Sequence, residues 1–191
     1  MKTTYLLRFF SGFARDRRGS VLMELAIGLP ILVMILLGCF EAARFALLDQ
    51  KLARVAASTA DLVAQANGIS EAQITDLFNA ADATANPFDL AGGGRIIISS
   101  VSRPTTAAAT IAWQRTSTGT YAATSALGTA GQTATLPTGL TLRQGENVIV
   151  AEVFYDYAPV FLGATRFTAA SLYQVAYNRP RIINLTQVTS P

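Results

Sequence analysis

Residues 17–40 read RRGSVLMELAIGLPILVMILLGCF. From Val21 to Phe40 the run is apolar except for Glu24. A helix of about 20 residues rises about 30 Å, the thickness of a bilayer's hydrocarbon core. The spacing therefore predicts one membrane-spanning helix over 20–40. Two residues set it apart from a plain anchor. A carboxylate costs about 2–3 kcal/mol at the bilayer centre and less near the interface, so Glu24 needs a reason to be there. Pro30 lacks a backbone donor and is expected to kink the helix.

The charge of the chain is arranged around this run. Lys2, Arg8, Arg15, Arg17 and Arg18 precede it, against the single acid Asp16, and the remainder is close to neutral. A basic cluster before an apolar span holds that end in the cytoplasm. No basic stripe exists elsewhere, so nucleic-acid binding is a poor reading of the net charge of +3. The mean hydropathy of +0.35 is high for a soluble domain, and much of the excess lies in the span.

Arg17-Arg18-Gly19 followed by Ser20 and Glu24 resembles the type IV prepilin signal: a basic leader, a glycine at the cut, and glutamate as fifth mature residue. The resemblance implies cleavage after Gly19 by a prepilin peptidase. Glycine there lets an extended backbone enter the protease. Cleavage would free an amine on Ser20, largely charged at neutral pH. A charge buried in an assembled filament needs a partner. Glu24 of the same or an adjacent helix supplies it, and so sets axial register. The plainer reading of Glu24 is a hydrated glutamate at the headgroups. Two rivals concern the whole run. A secretory signal peptide is shorter, uncharged and ends at small residues. Leu36-Leu37-Gly38-Cys39 loosely matches a lipobox, which would make Cys39 a lipid attachment point.

The stretch RRGSVLMELAIGLPILVMILLGCFEAARF is similar to the TadE/TadF group, pseudopilins or minor pilins of tight-adherence (Flp-type) pilus systems. Arg18-Gly19, Glu24-Leu25-Ala26, Leu29-Pro30 and Gly38 with Glu41 carry the resemblance. The major Flp pilin is short and usually has tyrosine after the glutamate, where this chain has Leu25; both departures point to a minor subunit. The resemblance implies the prepilin peptidase, the major pilin, other minor pilins and the inner-membrane assembly platform as partners. It implies surface adhesion as the role. The protein would sit in the inner membrane with its N-terminus cytoplasmic and its head periplasmic. An uncleaved single-pass envelope protein, or one lipidated at Cys39, with a ligand- or partner-binding head is the alternative.

Beyond the span, Leu48, Leu52, Val55, Thr59, Leu62, Val63 and Ala66 recur at three and four, one face of a helix. Asn67-Gly68 stops it. The span and this extension are expected to form one rod of about 70 Å. Ser70-Glu71-Ala72-Gln73 is a capping-box pattern opening a short helix over 71–84, ended by Asn86-Pro87. Gly92-Gly93-Gly94 reads as a hinge or turn. From residue 95 the period becomes that of strands: 95–103, 110–115, 147–158 and 166–177. Residues 116–140, rich in Thr, Ala, Gly and Ser, read as a long mobile loop or irregular hairpin arms. The fold class is α+β: a long N-terminal pilin-like helix, a short second helix and an antiparallel head of about four strands. The divisions are a leader at 1–19, the span at 20–40, its periplasmic extension at 41–67 and the head at 68–191.

Catalysis finds little support. The chain has no histidine, which removes the usual general base, triad member and zinc ligand. One cysteine allows no internal disulfide. No catalytic, cofactor-binding or metal-binding residues are assigned. Glu152 and Asp156 share a strand face, where a solvated surface or a local salt bridge is the favoured reading over a calcium corner. Tyr155, Tyr157, Tyr173 and Tyr177 are read as packing between adjacent strands. Trp113 beside the 116–140 stretch is weighed as an exposed adhesive contact.

Overall fold

A computed structural model describes residues 19–161 and 170–189. The leader residues Lys2, Arg8, Arg15, Arg17 and Arg18 lie outside the described residues, as do 166–169 of the fourth expected strand. Contacts divide the chain into two compact units, 1–42 and 43–191.

Helix α1 runs without interruption from Ser20 to Ala64, through Pro30. In the second unit its apolar stripe meets the head. Leu48, Leu52, Val55 and Val63 are fully buried, and Thr59 nearly so. Leu62 departs from the expected stripe and stands half exposed. The helix also ends three residues earlier than Asn67. Its terminal carbonyl, on Ala64, accepts from the Arg181 backbone N–H at 2.9 Å. The chain then turns through Gly68, whose φ of +95° lies in the left-handed region that glycine adopts without a Cβ penalty.

Helix α2 spans Glu71–Ala85 and opens with the full capping box: Gln73 N–H donates to Ser70 Oγ, and Ser70 N–H to the Gln73 side chain. Its first turn is tied to the sheet by Arg115, whose guanidinium donates to the Glu71 carboxylate. That donation holds Glu71 below the usual carboxylate range. The Gly-rich stretch expected as a hinge is a single helical turn, α3 (Leu90–Gly93), capped by Asp89 Oδ1 accepting from Gly92 N–H at 2.8 Å.

Four strands follow: β1 (Gly94–Ser102), β2 (Thr110–Thr116), β3 (Asn147–Tyr157) and β4 (Ala170–Asn178). They form one antiparallel sheet in the order β2-β1-β3-β4. Gly94 opens β1 because a Cβ there would stand 2.6 Å from the Phe154 carbonyl oxygen of the paired strand. Alternation along β3 gives the sheet two buried faces. Ile149, Val153 and Tyr157, with Ile96 and Ile98 of β1, pack in one cluster with α1 and α2. Val148 and Val150 pack with Val101, Ile111, Leu127 and Leu142 in a second.

The second face is covered by residues 117–142. These are not hairpin arms. They form an irregular cover without strands of their own, plugged by Leu127 and Leu142 and held by backbone bonds such as Ala134 N–H to Ala109 at 2.9 Å and Gly131 N–H to Ile111 at 2.8 Å. The C-terminal stretch after β4 closes the other side. Leu185 is buried, and Thr189 bridges to Ser70 beside the start of α2.

Candidate functional site

Among the described residues of the N-terminal unit, the helix is apolar from Val21 to Leu36 except at Glu24. Every residue from Val21 to Leu36 is exposed, and Leu22, Met34 and Leu36 are each about two-thirds so. A helix of this hydropathy inside a soluble core would be buried; here none of the apolar window is. By length and composition it is long and apolar enough to cross a membrane once, which is consistent with single-pass anchoring.

Gly19 and Ser20 stand where this helix begins, and both are exposed. A Cβ on Gly19 would meet nothing within 4 Å, so its value is not a packing one. Ser20 and Glu24 lie one turn apart on one face, and the Ser20 hydroxyl donates to Glu24 Oε1 at 3.4 Å. The two groups that the processing reading pairs are thus adjacent on a single helix. Glu24 is the only acid between Ser20 and Phe40, and its nearness to the helix N-terminus is electrostatically favourable. Pro30 is exposed, with the helix assigned on both sides of it. Cys39 is a free, exposed thiol inside the same apolar helix.

Two expectations, at Glu152 and at Leu62, need correction. Glu152 is neither solvated nor salt-bridged. It is fully buried on the cover side of β3. Its Oε1 accepts from the Ala126 N–H at 2.9 Å and from the Tyr173 hydroxyl at 3.0 Å, and its Oε2 from the Ser125 hydroxyl. A carboxylate taken out of water needs such donors; Ser125 and Ala126 fasten the cover to the sheet, and Tyr173 donates from the neighbouring strand β4. Asp156, its supposed companion, is exposed.

Trp113 is also not an exposed contact. It is 5% exposed, and its indole N–H donates to the Leu185 carbonyl at 2.8 Å. The same carbonyl accepts from Ser100 Oγ, while Asn147 Oδ1 accepts from the Leu185 N–H at 3.2 Å. This buried polar knot, which the sequence reading missed, seats the C-terminal stretch against the sheet. Leu62, counted on the buried stripe, instead edges an open groove of about 360 Å³ with Ala66, Ile69, Gln73, Asp76 and Leu77.

The tyrosines do pack between elements. Tyr157 meets Phe45 edge-on at 5.3 Å, and Tyr173 lies over Phe154 at 4.8 Å. Burial, then the nearby charge of Glu152, raises the Tyr173 hydroxyl above its ordinary pKa; Tyr177 is raised for the same two reasons. Among the described residues no group of three or more His, Cys, Asp or Glu is placed to hold a metal ion.

A long apolar N-terminal helix, a shorter second helix and a four-stranded antiparallel sheet define a pilin-like α+β protein. Residues 19–61 match the family model of TadE-like proteins, so this stretch of the chain is similar to that family. The matched stretch is α1 with its preceding glycine. No curated protein and no solved structure matches the chain.

Proposed function

We propose that this protein is a minor pilin of a tight-adherence pilus, a non-enzymatic subunit matured by cleavage between Gly19 and Ser20. The observation that carries the reading is the unburied apolar helix with its one acid a single turn from Ser20. The similarity of residues 19–61 to TadE-like proteins points to the tight-adherence machinery in general. The finer assignment follows from chemistry. A leader at 1–19 with its basic residues Arg15, Arg17 and Arg18 stays cytoplasmic and presents Gly19 to a prepilin peptidase on that side of the inner membrane. The new Ser20 amine then lies beside Glu24, in the same helix or a neighbouring one. In a water-free filament core that pairing offsets the cost of burying either charge, and it is satisfied at one axial register only. The head, periplasmic and then surface-borne, meets the major pilin, other minor pilins and the assembly platform, and takes part in adhesion.

The test is a strain lacking this gene, complemented with Glu24→Ala. The variant is expected to be processed normally, because the cut residue is intact, and to yield few or no pili by electron microscopy. Pili in normal number from Glu24→Ala would remove the register argument. Gly19→Asp should accumulate in the membrane with its leader attached; processing of that variant at the normal rate would rule out the site.

A further inference from the structure

We infer that the cover over the sheet is a modification surface, and that threonines on its two outer turns carry short neutral O-linked sugars. The inference stands apart from the processing reading, since the head holds the acceptors whether or not the leader is cut. From Thr116 to Leu142 the chain has no charged residue. A surface kept soluble by charge has about 25–35% Lys, Arg, Asp and Glu. All nine threonines between 116 and 141 are exposed. Among the described residues only Thr120 of these spends its hydroxyl on the protein, donating to the Gly92 carbonyl at 2.7 Å. Threonines elsewhere do hold the fold: Thr75 donates to Glu71, Thr84 to Ala80 and Thr189 to Ile69.

Local structure does not ask for threonine in the cover. Turns favour Gly, Pro, Asn, Asp and Ser, and β-branched residues favour strands. The cover has neither Asn nor Asp, and no strand of its own. It is held to the sheet by main-chain groups and by Ser117 and Ser125. What the threonines add is a row of hydroxyls facing water. Two tight turns present them. In the first, Gln132 N–H donates to the Thr129 carbonyl at 3.1 Å, and Thr133 follows. In the second, Leu140 N–H donates to the Pro137 carbonyl at 3.1 Å, which sets Thr138 on the crest beside Gly139. A Cβ on Gly131 or on Gly139 would meet nothing within 4 Å, so both turns stand in open space. Buried Leu127 and Leu142 anchor the layer beneath, and bulk added on the turns leaves that packing intact.

The step is glycosyl transfer. Threonine Oγ1 forms a bond to C1 of a sugar activated as a phosphate or pyrophosphate ester. The bond from C1 to the phosphate oxygen breaks, the phosphate leaves with the electron pair, and the hydroxyl proton passes to a base of the transferase. Phosphate itself suits this surface poorly, because no Lys or Arg lies between Arg115 and Arg143 to pair its charge. An N-linked sugar is disfavoured too. The one Asn-x-Thr sequence is Asn184-Leu185-Thr186, where the Asn184 amide donates to the Gly145 carbonyl at 2.8 Å and Leu185 is buried.

The test uses the full chain purified from the envelope of its own cells. Trypsin frees residues 116–143 as one peptide, since no Lys or Arg interrupts them. That peptide is expected above its sequence mass by whole sugar residues. Mild alkali should remove the added mass by β-elimination, and electron-transfer fragmentation should map it to Thr129, Thr133 or Thr138. The same chain made by cell-free translation should show the sequence mass alone. The triple variant Thr129→Val, Thr133→Val, Thr138→Val should lose the added mass and keep its urea midpoint, because these hydroxyls bond nothing in the fold. A peptide found only at its sequence mass, a phosphate in place of the sugar, or a sugar on Asn184 alone would overturn the inference. So would undiminished added mass in the triple variant, or a lowered midpoint, which would make the hydroxyls structural.

Discussion

Glu152 shows how one carboxylate organises a head domain. Ringed by a backbone N–H and two hydroxyls, it ties Ser125 and Ala126 of the cover to the sheet and Tyr173 of β4 to β3. Glu152→Ala leaves buried donors without a partner and is expected to cost about 1–3 kcal/mol in urea titrations of the detergent-solubilised chain. An unchanged midpoint would mean the cover is held elsewhere. The tyrosines beside it give a pH signature. A hydroxyl whose folded pKa is raised keeps its proton where the unfolded chain has lost it. Its contribution is complete below the unfolded value, about 10, and is lost as pH climbs from there through the folded value. Stability should therefore decline above about pH 10, and Tyr173→Phe should make the decline shallower. Equal slopes for wild type and variant would contradict the assignment.

At the scale of elements, α1 is one helix in two solvents. From Val21 to Leu36 its surface is exposed and, apart from Glu24, apolar; from Leu48 onward only one stripe is buried. Leu52→Ala in the buried stripe should destabilise the head by about 2–5 kcal/mol. Leu62→Ala, on the exposed groove edge, should stay within about 0.5 kcal/mol. Comparable losses at both would show that Leu62 is covered. Periodicity made most of this legible: the three-and-four spacing marks α1, the Ser70–Gln73 box marks α2, and the β-branched runs mark β1 and β3. Leu62 misled because a stripe written in threes and fours does not show where the covering layer stops. The face that Trp113 takes was not legible for another reason. A bulge between Ser100 and Val101 pairs those neighbours with Trp113 and Ile111, skipping Ala112. Ile111 thus joins the cover-side cluster and Trp113 the helix side, although strict alternation would put both on one face. Nothing in the local sequence announces that extra residue. The cover at 117–142 was illegible for a similar reason: its bonds are made to distant strands, and its few large apolar residues have no period. Burial of Glu152 had a faint signal, since it sits in a strand apolar on both faces.

For the molecule as a whole, the two units divide the tasks of a pilin-like subunit. The apolar helix offers a surface that only lipid or other helices can cover, and the head has its own two-sided core. The proposed processing site is a linear motif, read without tertiary structure; the head's contacts, made between residues from 21 to 85 positions apart, could not be read that way. The account's central claim is that the working form begins at Ser20, which places a free amine one turn from Glu24. The most direct measurement is mass spectrometry of the N-terminus of protein isolated from the cell envelope. The account predicts a chain starting at Ser20 with an unmodified Cys39. A chain still carrying Met1 and the leader, or one cut before a lipid-bearing Cys39, would contradict it.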